Sequence, residues 1–397
     1  MLARMTRRAV ALTLAVTALS LALAFTVKAR CGVPSSLEGE YLGWCYSDIP
    51  ALFYSERLDQ GAVPYLDHPV EYPVLTGAQM GLTGAMAADG RGFLIANALL
   101  LAAAALATAA LLAREVGWPR ALAFAGAPTL AISAFVNWDL LAVLLATAGL
   151  VAHRRAADTA SGALLGLGAA AKLYPGLFVP IVALAAWRIR GRRAGIAAAT
   201  AAVGAWALVN LPVLLAAPSG WWEFFRLSRE RPADWDALSN VATHVTGLAP
   251  STAALNAVSG VAFAIGAVAV VAHAVRRDPP ERWHLAALPV LTWFLLTSKV
   301  YSPQFSLWLL PLLALAFPGW TWWGAFAVTD VAVTVTRFPY LGNFVAEAGL
   351  DGAWDWGPFG TALVVRAMVL AAVAWLGWRR AVADRSEARM HALREAT

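Results

Sequence analysis

The sequence predicts an all-α polytopic membrane protein, a bundle of about twelve transmembrane helices with a long first outer loop carrying short interfacial helices. Three observations predict it. Of 397 residues, 60% are hydrophobic and only 14% charged, far below the roughly 25% charged of soluble domains. Apolar runs recur down the whole length, and the basic residues gather in short clusters between them, as the positive-inside rule requires. The net charge of +6 is therefore read as topology, not as a nucleic-acid surface. A soluble nucleotide-sugar or ATP fold would need roughly 100 or more further residues, so 1–397 reads as a single integral membrane domain.

Arg4, Arg7 and Arg8 place the start of the first run, 9–27, inside. It reads as a retained span; Ala22-Leu23-Ala24 resembles a signal cleavage site, and either reading gives the same orientation. Further spans are expected at 93–113, 119–136, 138–152, 159–171, 174–187, 194–216, 252–274, 283–298, 303–317, 320–336 and 359–378, before a basic cytoplasmic tail, 379–397. Several fall short of the roughly 20 residues needed to cross. Pairs such as 159–171 and 174–187 are expected to turn within the outer half of the bilayer, where irregular backbone must line a cavity. Trp221, Trp222, Trp354 and Trp356 suit an interfacial aromatic belt.

The outer loop, 28–92, holds eight acids against four bases. Cys31 and Cys45 flank its start. They are either a disulfide, worth roughly 3 kcal/mol for a loop of about 15 residues in the chain-entropy model, or two free thiols. Pro50 opens a short helix that Gly61 ends, and Pro64, Pro69 and Pro73 keep the chain extended through Asp67, His68 and Glu71. Residues 74–88 are expected as a helix on the outer surface, with Gly77, Gly81 and Gly84 allowing close packing.

Asp48 lies at the start of the short helix. It is either an N-terminal acid that stabilises the helix or a general base that takes a proton from an attacking hydroxyl. Asp67 and Glu71 are rival bases, and His68 could orient a phosphate or carboxylate. These residues have no recognisable metal-ligand spacing, so neither metal nor cofactor is expected.

Only three of the 30 basic residues are lysines: Lys28, Lys172 and Lys299. Lys28 reads as an anchor at the end of the first span. Lys172 and Lys299 sit in apolar sequence at outward turns, where an ionisable group costs roughly 2.5–3.5 kcal/mol and needs an anionic partner. Tyr174 and Tyr301 follow each by two residues, and Gln304 comes soon after. Such donors beside a lipid-facing cavity suit a lipid-linked phosphate; the bland account is snorkelling. Asn137 and Asp139 form another outward turn, where Asp139 either pairs with Lys172 or binds sugar hydroxyls. Asp330 and Arg337 share a helix face, read as a buried ion pair, with Arg337 and Arg366 available to reinforce a phosphate site.

The segments YSDIPALFYSERLDQGAVPYLDHPVEYPVLTG, FVNWDLLAV, AAAKLYPGL and SKVYSPQFSLWLLP together resemble the bacterial polytopic glycosyltransferases of family 87. The resemblance implies a GT-C-like bundle, a polyprenyl-phosphate sugar donor, typically of mannose, and an outward-facing site in the plasma membrane. It also implies a catalytic aspartate in the first outer loop, a position that Asp48 matches. Roles for Lys172 and Lys299 rest on charge alone. The expected activity is inverting hexosyl transfer to a lipid-linked or cell-envelope glycan acceptor. The alternative is a transporter or flippase of a lipid-linked or anionic substrate.

Overall fold

The computed structural model describes residues 2–31, 35–345 and 355–395, with side chains from 7 to 383. Trp354 and the side chains of Arg4 and Arg385 lie outside the described residues. The described chain is helical, with one isolated bridge, Pro64 to His68, and no strand.

The first helix, α1 (Leu2–Ala29), leads into the loop that carries α2 (Leu37–Leu42), α3 (Asp48–Ser55) and α4 (Val74–Gly84). A long helix, α5 (Gly90–Val116), comes next, then α6 (Trp118–Ala125) and α7 (Pro128–Ser133), which Gly126 and Pro128 divide. The bundle continues through α8 (Asp139–Arg154), α9 (Asp158–Ala171), α10 (Val179–Arg190) and α11 (Arg192–Ala216). Two shorter helices, α12 (Pro218–Glu230) and α13 (Leu238–Thr246), precede α14 (Thr252–Arg277). The chain closes with α15 (Ala287–Thr297), α16 (Leu309–Leu315), α17 (Trp320–Val345) and α18 (Trp356–Glu395).

Among the described residues, five stretches are long and apolar enough to cross a membrane: Arg7–Ala29, Gly90–Val116, Arg192–Ala216, Thr252–Arg277 and Trp356–Ala383. Several other apolar segments are compound. Three open as 3-10 turns, Tyr174–Phe178, Pro280–Ala286 and Pro303–Trp308, each with proline in its first two positions. Proline supplies no N–H and fixes φ, so these segments begin tight and widen into α-helix only afterwards. The turns ahead of two of them carry Lys172 and Lys299.

Small residues set the closest contacts. A Cβ on Gly162 or Gly166 of α9 would fall about 2 Å from the carbonyl oxygens of Ala198 and Ala202 in α11, so only glycine permits that approach. In the first loop, the Tyr65 hydroxyl donates to the carbonyls of Tyr72 and Pro73 and rests directly on Gly77. This fixes the proline-stiffened segment against α4. The loop is also tied to the bundle: Phe53 of α3 packs on Phe93 of α5, with ring centroids 5.0 Å apart.

Candidate active site

Asp48 is placed by its neighbours in sequence. Ser47 caps α3 by accepting from the Ile49 amide, and its hydroxyl donates to the Phe135 carbonyl at 2.7 Å. The Asp48 amide donates to the Val136 carbonyl at 2.9 Å. The start of α3 is thus docked on the turn before α8, which sets the Asp48 carboxylate beside Asn137. A disulfide joins Cys31 to Cys45. Lys28 is more than an anchor: it is buried, and its ammonium donates to the Tyr46 carbonyl at 2.8 Å. The helix that Asp48 opens ends at Ser55, earlier than Gly61, because Arg57 adopts a left-handed conformation that breaks it.

Both Asp48 oxygens are held. Oδ1 accepts from the Tyr46 hydroxyl at 2.5 Å, and Oδ2 accepts from Asn137 Nδ2 at 2.7 Å. The same Nδ2 donates to the Tyr72 hydroxyl at 2.7 Å, while Asn137 Oδ1 accepts from Lys172 Nζ at 3.0 Å. One amide therefore bridges the carboxylate and the ammonium. The Asp48 charge, with burial, holds the Tyr46 phenol protonated far above its ordinary range, and burial does the same for Tyr72.

Lys172 also lies 3.7 Å from Asp139 Oδ1 and 4.7 Å from the centroid of the Tyr72 ring. Asp139 is fully buried behind the site, takes a hydrogen bond from Trp308 Nε1 at 2.7 Å, and leaves Oδ2 without a partner among the described residues. It is the structural counter-charge of Lys172 and does not line the cavity. Tyr174 stacks on Trp308 at 4.3 Å, its hydroxyl unpartnered among the described residues.

Asp139 apart, these groups border a cavity of about 770 Å³, lined among others by Asp48, Glu71, Asn137, Lys172, Lys299 and Gln304. Tyr46, Tyr72, Arg231, Trp308 and Arg337 also line it, and nothing in the sequence context of the three aromatic residues flagged them. Glu71 stands on the open side. Desolvation there, reinforced by the Asp48 charge, raises its pKa against the pull of Arg231 and Lys172.

The structure separates other predicted site residues from this group. Asp67 turns back to accept the Val63 amide, and His68 contacts Glu56 at 3.1 Å; neither lines the cavity, because both are engaged in the loop's own turn. Tyr301 is buried under the Arg366 guanidinium with its hydroxyl on Ser306, also away from the cavity. Lys299 does line it, but its ammonium donates to the carbonyls of Arg229 at 3.1 Å and Arg231 at 2.6 Å. Burial, with the Arg231 charge, lowers the Lys299 pKa. Asp330 pairs with Arg366 at 3.5 Å instead of Arg337, which reaches Asp236 in the loop before α13. Among the described residues no three His, Cys, Asp or Glu side chains converge as a cation site.

The arrangement joins a carboxylate able to accept a proton to a cation able to hold an anion, over one hollow with apolar and aromatic walls. Residues 72–298, more than half of the chain, match the sequence profile of glycosyltransferase family 87. Among solved structures, ArnT from Cupriavidus metallidurans bound to undecaprenyl phosphate is similar over 93% of this chain and 77% of that one, with 16% identity and a TM-score of 0.46. No curated protein matches the chain.

Proposed function

The chain belongs to glycosyltransferase family 87, and from that premise we propose that it moves a sugar, mannose in the first instance, from a polyprenyl-phosphate donor to a lipid-linked or cell-envelope glycan acceptor. The observation that carries this reading is the continuous path Tyr46–Asp48–Asn137–Lys172 along one cavity wall. The reaction places two demands on the protein. The leaving phosphate needs a cation, and the attacking hydroxyl needs a base.

Lys172 meets the first demand, with Gln304 and Lys299 on the same cavity, where their donors stabilise charge developing on the phosphate. Asp48 meets the second. The acceptor oxygen bonds to the anomeric carbon, the bond from that carbon to the phosphate oxygen breaks, and the electron pair leaves on polyprenyl phosphate. The hydroxyl proton goes to Asp48. Attack from the face opposite the phosphate inverts the anomeric centre. Asn137 orients both groups at once. The Arg-rich clusters support an active site facing away from the cytoplasm, across the plasma membrane.

Purified protein in detergent, given polyprenyl-phosphate mannose and candidate acceptors, tests the reading. Sugar transfer is expected. A protein that only translocates its substrate gives none, because detergent offers no compartments, and that result would sink the proposal.

A further inference from the structure

Arg337 is buried in α17 at 7% exposure, yet lines the cavity. Its Nε donates to Asp236 Oδ1 at 3.0 Å, and neither Nη finds a hydrogen-bond acceptor among the described residues. Asp236 meets it through a single oxygen; Oδ2 is buried without a partner among the described residues. A guanidinium and a carboxylate paired for structure alone favour the two-pronged fork, as Arg190 and Asp158 do elsewhere in this chain. Here the fork is left open. A guanidinium has five N–H donors, and with only Nε engaged the two Nη groups remain to meet a ligand in the cavity. The planar fork fits an oxyanion.

The position relative to the base matters. Lys172 reaches Asp48 Oδ2 through Asn137, whereas Arg337 lies on the side of Tyr46, whose hydroxyl holds Oδ1. The Tyr46 and Phe338 rings are 6.4 Å apart, and the Arg337 guanidinium lies 5.6 Å from the Phe338 centroid. Lys172 and Arg337 thus line the same cavity beyond the two groups that hold Asp48, Asn137 on one side and Tyr46 on the other. Inverting transfer puts leaving phosphate and attacking hydroxyl on opposite faces of the anomeric carbon. With the donor phosphate at Lys172, the Arg337 flank falls to the acceptor.

We propose that Arg337 forms a second oxyanion subsite, separate from Lys172, that recognises a phosphate or carboxylate carried by the acceptor; this rests on the glycosyl-transfer reading above. Arg231, which also lines the cavity and is half exposed, is placed to assist.

Binding to the purified full chain in detergent tests it. Decaprenyl phosphate probes the donor flank, and glycerol 3-phosphate and glucuronate probe the Arg337 flank as phosphate and carboxylate. Glycerol 3-phosphate or glucuronate is expected to bind protein already saturated with decaprenyl phosphate, and whichever binds more tightly identifies the anion. Arg337→Gln should weaken that binding by about tenfold or more while decaprenyl phosphate affinity stays within about twofold; Lys172→Met should do the reverse. Should Arg337→Gln fail to fold, pairing it with Asp236→Asn removes both buried charges together and keeps the comparison. Competition between the two kinds of ligand for one site overturns the proposal, as does a loss of decaprenyl phosphate binding in Arg337→Gln. So does binding of neither small anion at millimolar concentration. Failure of decaprenyl phosphate to bind the wild type would instead strike the donor reading, and the small-anion arm would still report on Arg337.

Discussion

The Arg-rich end of the bundle and the cavity handle buried charge in opposite ways. At the Arg-rich end the acids are met directly by guanidinium groups. Arg154 Nε donates to Glu115 at 2.6 Å, Arg190 grips both oxygens of Asp158, and Arg379 reaches Asp278 at 2.9 Å. Along the cavity wall that carries Asp48, and at Lys299, the charges are held mainly by neutral groups. Asp48 is bound by a phenol and an amide, Lys172 by an amide with a carboxylate only at 3.7 Å, and Lys299 by two carbonyls. A charge matched by its opposite is electrically quiet. One held by dipoles keeps its field for a substrate, and this difference marks where chemistry can occur.

Substitutions on the cavity side should break that contrast most severely. Asp48→Asn retains the shape and can still accept from Asn137, with its NH2 turned to the Tyr46 oxygen, but it cannot take a proton; transfer should fall by about 10²–10⁴-fold while decaprenyl phosphate still binds. A loss of folding instead would assign Asp48 to helix stability alone. Next in size, Asn137→Ala removes hydrogen bonds to both charged groups, each worth about 1.5–3 kcal/mol. Turnover and donor affinity should drop together, and steady-state kinetics that move only one of them would uncouple the pair.

A smaller effect is expected in the pH dependence of stability. Burial, against the pull of Arg337, raises the Asp236 pKa from 3.8 to about 6. The folded chain therefore holds this proton more tightly than the unfolded one. The resulting stabilisation is complete below pH 3.8 and is lost as the pH rises through about 6. Asp236→Asn should flatten that slope in melting curves across the window. Smallest of all, Glu115→Gln at the Arg-rich end should lower the melting temperature and leave transfer rates unchanged; a change in rate would link the two ends.

Much of this was legible along the chain. Apolar runs and arginine clusters marked the long helices of the bundle, though not α2, α12 or α13, and they ran α6 and α7 together as one span; the rarity of lysine singled out Lys172 and Lys299. The first loop was harder to read. Asp67, His68 and Glu71 are near neighbours in sequence, yet only Glu71 meets the cavity, because Asp67 closes the turn at Val63–Asp67 and His68 is taken by Glu56. Tyr301 follows Lys299 as Tyr174 follows Lys172, but one ring is buried beneath Arg366 and the other reaches the hollow. Tyr46, Tyr72 and Trp308 looked like ordinary aromatic residues of an apolar chain, with no local signal to separate them from the rest.

By itself the sequence determined what had to be helical and which charges were out of place, because hydropathy and the cost of an ion in apolar surroundings are properties of single segments. Only the tertiary structure decided which charges meet. Asp48 reaches Lys172 because Ser47 and the Asp48 amide bind carbonyls some 90 residues further along, at Phe135 and Val136. Arg337 leaves Asp330 for Asp236 for a similar reason: its partner comes from a distant loop. Contacts between far-apart segments depend on how whole helices pack, and no local pattern encodes that.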